Sequence, residues 1–348
     1  MPYFPHRAHR SPALILALLA LGVVLAFWLD LALGSVAIPP GELLDILSGG
    51  PGARESWRVI VLEFRLPKAL TAVQAGAGLA VAGLLMQTLF RNPLAGPFVL
   101  GISSGASLGV AVLVLAGAWV PFLLPLTAGW GLVMAAVLGA GLVLLLVVTM
   151  AFRAIDNVTL LIIGFMFGAA TGALVSVLQF FSDAARIQSF LVWTFGSLGG
   201  VTWDQLRVMI PVMGAGFLLS VAVIKPLNAL LLGESAAASL GIAVRRSKFA
   251  IIAATAVLAG AATAFCGPIA FMGLAVPHLA RSALRSSDHR LLVPACLLLG
   301  ALLMLVFDVI SQVPGRDTTL PINAITALFG APVVIWVILR NRNLNSAF

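Results

Sequence analysis

Apolar runs of about 20 residues recur along the whole chain. That is the length an α-helix needs to cross the ~30 Å hydrocarbon core of a bilayer. Ten such runs are read, at 12–33, 67–90, 101–119, 127–150, 158–181, 204–224, 249–266, 269–284, 291–312 and 322–340. Turn chemistry separates them: "RNPLAGP", "RAIDN", "RSSDHR" and "PGRDTTLP" all break a helix and carry polar groups. Hydrophobic residues make up 61% of the chain and charged residues 9%, with a mean hydropathy of +1.13. A soluble domain carries about a quarter charged residues, so this chain cannot cover a water-facing surface. The runs are continuous rather than alternating, which excludes the pattern of an outer-membrane barrel. The fold class is therefore all-α, a polytopic membrane protein of about ten transmembrane helices in a single unit spanning 1–348. The basic start followed by Pro12–Leu29 is read as a retained first span rather than a cleaved signal.

Ten crossings place both ends on one side. With the ends in the cytoplasm, 13 of the 20 Lys and Arg residues fall on the inner side, in keeping with the positive-inside rule. Arg54, Arg58, Arg65 and Lys68 breach it, crowded between the first two spans, where an acidic partner could dock. The net charge of +8 is scattered over short loops. That suits contact with membrane lipid and protein partners, not nucleic acid.

Several chemistries are missing. The chain contains no Gly-Lys dipeptide and so no phosphate-binding P-loop. His6, His9, His278 and His289 are dispersed, and Cys266 and Cys296 lie in apolar runs without metal-ligand spacing. No nucleophile, base and acid can be grouped by spacing. The expectation is a protein that is not an enzyme and binds no cofactor or metal.

Two runs carry glycines four apart, Gly101, Gly105 and Gly109, then Gly164, Gly168 and Gly172. That spacing puts each set on one helix face, where backbones can approach closely or slide. Asp308 is read as the one charge deep in a span, near its outer end or beside a polar partner. The loop 225–248, "KPLNALLLGESAAASLGIAVRRSK", is the longest on the inner side. It reads as two short helices broken at Gly241, with Ala236, Ala237 and Ala238 as a low face suited to a groove on another protein or to the membrane surface.

Taken together, "RLPKAL" (65–70), "AGLAVAGLLMQTLFRNPLAGPFVLGISSGASLG" (77–109), "LLLGESAAASLGI" (230–242), "GPIAFMGLAVPHLAR" (267–281) and "LPINAITALFGAPVVIW" (320–336) resemble the FecCD-type permease subunits of type II ABC importers. The resemblance covers nearly all of the chain. It implies ten helices and a homodimer with the path at its interface. Two separate ATPase subunits would carry ATP and Mg on the cytoplasmic side, with a periplasmic or lipid-anchored binding protein outside. The location implied is the bacterial inner membrane and the cargo an iron chelate: ferric siderophore first, then haem, then corrinoid. By position, Asn92, Leu94, Asn157 and Val158 match a cytoplasmic gate. Glu234, Ala236, Ala237 and Gly241 match the ATPase-coupling loop. Arg65 and Lys68 match cations that dock the binding protein, with Arg316 standing for a third. Gly164, Phe165, Phe167, Gly168, Gly172 and Gln179 would line the path. In corrinoid members the second gate is Ser/Thr-rich, whereas "AIDNV" here is bulkier and acidic. An ion-coupled secondary transporter and a passive channel are the alternative readings of the residues alone.

Overall fold

The computed structural model describes residues 11–50, 54–116, 129–151, 157–312 and 318–340. All regular structure in them is helical. The first part of the chain gives α1 (Pro12–Ala32), α2 (Pro40–Ser48), α3 (Glu55–Val59), α4 (Leu66–Leu89) and α5 (Ile102–Leu115). The middle gives α6 (Trp130–Ala151), α7 (Asn157–Phe180), α8 (Ala184–Thr194), α9 (Trp203–Ala222), α10 (Ile224–Leu230) and α11 (Glu234–Ser239). The last part gives α12 (Val244–Cys266), α13 (Met272–Leu284), α14 (His289–Ser311) and α15 (Ile322–Arg340). Ten of these, α1, α4, α5, α6, α7, α9, α12, α13, α14 and α15, fall on the ten expected runs.

The remaining five are short helices, of which hydropathy anticipated only those in the 225–248 loop. α12 starts at Val244, five residues before the apolar run, because "VRRSK" is polar yet still helical. Hydropathy marks where a helix enters the bilayer, not where it begins. α8 is set by Asp183, whose carboxylate accepts the amide N–H of Arg186 as a cap and pairs with its guanidinium. α3 runs into α4 through a π-helical turn, Ile60–Arg65. Pro67 lacks an amide hydrogen and crowds the carbonyl four residues back, and the wider turn relieves both.

α4 is the hub, buried on all sides by α14, α12 and α13. Membrane helices gain little hydrophobic energy from each other, so close backbone approach decides which ones pair. Glycine makes that approach possible. A Cβ on Gly76 would sit 2.3 Å from the Gly300 carbonyl oxygen, joining α4 to α14. One on Gly83 would sit 1.9 Å from the Gly273 carbonyl oxygen, joining α4 to α13. Gly109 is as close to Ala135, at 2.0 Å, and fixes α5 on α6. The ladder in α7 behaves differently: nothing lies within 4 Å of a Cβ on Gly172, and only Ser104 Oγ approaches Gly168, at 3.4 Å. α7 keeps an apolar outer face instead, with Phe165, Met166, Leu174 and Phe180 exposed.

Candidate functional site

At one end of the bundle three turns meet: α4 to α5, α13 to α14, and the loop holding α10 and α11. The α4–α5 turn begins with Arg91 in left-handed conformation, φ 48°, an uncommon state for a residue with a side chain. Asn92 then closes the turn by accepting the amide N–H of Leu94 through Oδ1, at 2.9 Å. Asn92 is half-buried and Leu94 is 45% exposed, so the leucine projects from the turn. His278 Nε2 donates to the Pro93 carbonyl at 2.8 Å and holds the turn on α13. This is the structural work of a histidine that spacing left unassigned. Asn157 opens α7, at the same end as Arg91 in the chain's alternation. The side chains of Asn157 and Val158 lie outside the described residues.

The loop between α9 and α12 departs from expectation in one respect. Its break is at Gly233, φ 103°, between α10 and α11, whereas Gly241, φ 81°, ends α11 before α12. Ala237 is buried against the chain, Ala236 is half-buried, and Leu232, Ala238 and Leu240 are exposed. The low face is therefore centred on Ala238, not on all three alanines. Glu234 pairs with Lys248 at 2.7 Å and ties α11 back to α12. Arg91 Nη2 donates to the Leu231 carbonyl at 3.2 Å and joins the loop to the α4–α5 turn.

At the other end of α4 lies a charged cluster. Docking by Arg65 and Lys68 requires cations that reach the surface. Arg65 instead points inward. It is 6% exposed, and its guanidinium donates to the carbonyls of Leu31 (2.8 Å), Ala32 (3.1 Å) and Val36. It thus neutralises the exposed carbonyls at the C-terminus of α1, where a cation is most stabilising. A Cβ on Gly34 would collide with that guanidinium, which is why the turn needs glycine. Lys68 pairs with Asp308 at 2.8 Å. Its side chain is 16% exposed and borders two cavities of about 290 and 310 Å³. Gln312 Nε2 donates to Asp30 Oδ1 at 2.8 Å and to Asp308 Oδ2 at 3.1 Å. Asp308 thus has polar partners, as a carboxylate at that depth requires. Asp30, fully buried, was missed by sequence reasoning. The signal was there, because "FWLDLA" places a carboxylate inside an apolar run just as "LVFDVI" does. Arg316 lies outside the described residues.

Along α7, Phe165 is 65% exposed, Phe167 and Gln179 are half-buried, and Gly164 is buried beside Gly101. The expected path residues thus share one helix. No group of three or more metal-ligating side chains occurs among the described residues.

Among the described residues seven helices are long and apolar enough to cross a membrane, with shorter apolar helices packed beside them, and this architecture defines an all-helical multi-pass membrane protein. The FecCD transport family matches residues 21–340, and the chain belongs to that family. It is a transport subunit of an ABC importer, whose ATPase activity belongs to a separate subunit. It is 37% identical over 327 residues to the vitamin B12 import system permease protein BtuC of Klebsiella pneumoniae, covering 93% of each chain. It is 37% identical over 330 residues to the hemin transport system permease protein HmuU of Yersinia pestis, covering 94% of this chain and 97% of that one. A solved structure described as an inward-facing conformation of a metal-chelate type ABC transporter superposes with a TM-score of 0.80. Its sequence identity is 29%, covering 95% of this chain and 100% of that one.

Proposed function

We propose that this chain carries a metal chelate across the bacterial inner membrane as one half of a homodimeric permease. Two ATPase subunits with ATP and Mg would sit on the cytoplasmic side and a binding protein on the outer side. The observation that carries this reading is the family match over residues 21–340, combined with a separate loop of short helices, 224–239, tied to a gate-like turn. Both termini would be cytoplasmic, and the whole of 1–348 would act as one domain.

The α7 face with Phe165, Gly168 and Gly172 is the proposed meeting surface of the two copies and the wall of the path, with Gly164, Phe167 and Gln179 on the same helix. Nothing in the chain lies within 4 Å of a Cβ on Gly172 and only Ser104 Oγ, at 3.4 Å, approaches Gly168, which leaves room for a second copy or a bulky cargo. An apolar wall offers few strong ligands, so affinity would reside in the binding protein. Asn92, Leu94, Asn157 and Val158 would narrow the inner mouth. Glu234, Ala236, Ala237 and Gly241 would shape the ATPase-facing loop. Lys68 would meet acidic groups of the binding protein at the rim of the two cavities, with Arg316 as a second cation and Arg65 as the scaffold beneath.

Haem is the favoured cargo, with corrinoid and ferric siderophore behind it. The similarity to a hemin permease supports haem and an equal one to a vitamin B12 permease supports corrinoid; the sequence "AIDNV" at the second gate, unlike the Ser/Thr-rich pattern of corrinoid members, favours haem of the two. The test is titration of the cognate binding protein with haem, cyanocobalamin and a ferric siderophore. Saturable tight binding of haem alone supports the assignment, and tight binding of either other ligand with none of haem overturns it.

A further inference from the structure

The proposed reading leaves one mechanical question: how displacement of the ATPase-facing loop reaches the α4–α5 turn. One direct contact between the loop and that turn runs through Arg91, an exposed side chain on a 3.2 Å bond. A second connection runs from a half-buried residue into the core. Asn228 lies in α10, inside the loop. Its Nδ2 donates to Asp288 Oδ1 at 2.7 Å. Its Oδ1 accepts both the main-chain N–H of His289, at 2.9 Å, and the ring Nδ1 of His289, at 2.7 Å. His289 Nε2 lies 2.8 Å from Thr88 Oγ1 in the last turn of α4. Thr88 is four residues from Asn92.

The chemistry of these groups fixes their roles. Asp288 can only accept, and a main-chain N–H can only donate, so the Asn228 amide has one orientation. Its oxygen then faces the His289 ring, and Nδ1 must carry the hydrogen. On a neutral ring Nε2 is an acceptor, and the single Thr88 hydroxyl hydrogen is shared between it and the Leu84 carbonyl, 2.9 Å away in the preceding turn of α4. Asp288 is fixed from both sides: the amide N–H of Arg290 and the Asn228 carboxamide hold its carboxyl below the ordinary carboxylate value. Thr88 and His289 are buried, at 0 and 1% exposed, so water is kept from the end of the connection nearest α4, while Asn228 and Asp288 are half-buried. The neighbouring residue, Gln87, is locked as well. It accepts from Arg281 Nη1 at 2.5 Å and donates to the Leu274 carbonyl at 3.2 Å, both on α13.

The result is a chain of short hydrogen bonds, half-buried at α10 and fully buried at Thr88, running from α10 through the first residue of α14 to the last turn of α4. We propose that Asn228, His289 and Thr88 form the joint that transmits movement of the coupling loop to the gate turn, with His289 a positioning residue for transport. This rests on the loop 225–248 being the ATPase contact. The joint is a directional constraint, because shifting α10 must drag the N-terminus of α14 and the end of α4 together. Packing alone would let α10 slide.

The test uses the reconstituted importer in proteoliposomes, reading ATP hydrolysed and cargo taken up in the same sample. Thr88→Val keeps the volume and deletes only the hydroxyl, while Thr88→Ser keeps the hydroxyl. Thr88→Val should keep ATPase association and hydrolysis but lower cargo moved per ATP by about fivefold or more, the lower end of allosteric couplings. Thr88→Ser should restore the ratio. Asn228→Ala combined with Thr88→Val should be no worse than the stronger single variant, since both cut the same connection. An unchanged ratio in Thr88→Val, equal damage in Thr88→Ser, or additive losses in the double variant overturns the joint. Failure of the loop reading itself looks different: Glu234→Arg would then leave ATPase association intact, whatever Thr88→Val does.

Discussion

Replacing Lys68 with methionine isolates the energetics of the charged cluster at the far end of α4. The substitution preserves the aliphatic stem and removes the charge. It leaves Asp308, whose side chain is 5% exposed, without the cation 2.8 Å away. Asp30, fully buried one hydrogen bond further on, shares Gln312 with it. Removing one partner of a fully buried pair costs about 3–5 kcal/mol, because the other charge is stranded away from water. The Lys68 side chain is 16% exposed, so water recovers part of this, and we expect about 2–4 kcal/mol. For a chain of this length that is a fall of about 5 °C in the thermal midpoint. The assay is thermal unfolding of the purified protein in detergent, followed by a thiol-reactive dye, which reports exposure of the buried Cys266 and Cys296. Lys68→Met/Asp308→Asn should be more stable than Lys68→Met alone, since the stranded carboxylate is gone. Equal midpoints for Lys68→Met and the parent protein, or a double variant as unstable as the sum of the singles, would refute the reasoning.

Three further outcomes follow from the same geometry. Gly109→Val should destabilise the chain by about 3 kcal/mol, because α5 and α6 must separate, whereas Gly172→Ala should change monomer stability by less than about 0.5 kcal/mol; thermal midpoints compare the two. Arg65→Met should cost about 2–4 kcal/mol by leaving three main-chain carbonyls of the α1 end without their donor, and a surface role for Arg65 would instead leave the midpoint unmoved. Glu234→Arg removes the bond to Lys248 and sets a second cation against it; pull-down of the ATPase should weaken about tenfold, with less than about 1 kcal/mol lost from the fold.

The ten spans were legible because bilayer thickness imposes a length that survives any detail of packing. α4 and α14 were found within one or two residues of their ends on this basis. The capped α8 was not, since one Asp183 cap sets it and leaves no hydropathy trace; α10 and α11 were expected as two short helices, but with the break at Gly241 instead of Gly233. Glycine spacing of four flagged both ladders but could not separate them: the α5 ladder is filled by Gly139 and Ala135, while in the α7 ladder Gly168 meets only Ser104 Oγ and Gly172 nothing in the same chain. Arg65 and Lys68 looked alike as neighbouring cations. Their roles diverge because one faces the end of α1 and the other faces Asp308, a distinction that depends on contacts more than 30 and 200 residues away in sequence. The Asn228, His289 and Thr88 connection spans the same kind of distance, and isolated histidines carry no sign of their partners.

The central claim, that this permease moves a metal chelate at the expense of a separate ATPase, is tested most directly by uptake into proteoliposomes. The protein would be reconstituted with its cognate ATPase and loaded binding protein. Haem accumulation that requires ATP, stops when the ATPase is omitted and ignores imposed proton or sodium gradients is the result predicted. Accumulation driven by such a gradient without the ATPase would contradict the account.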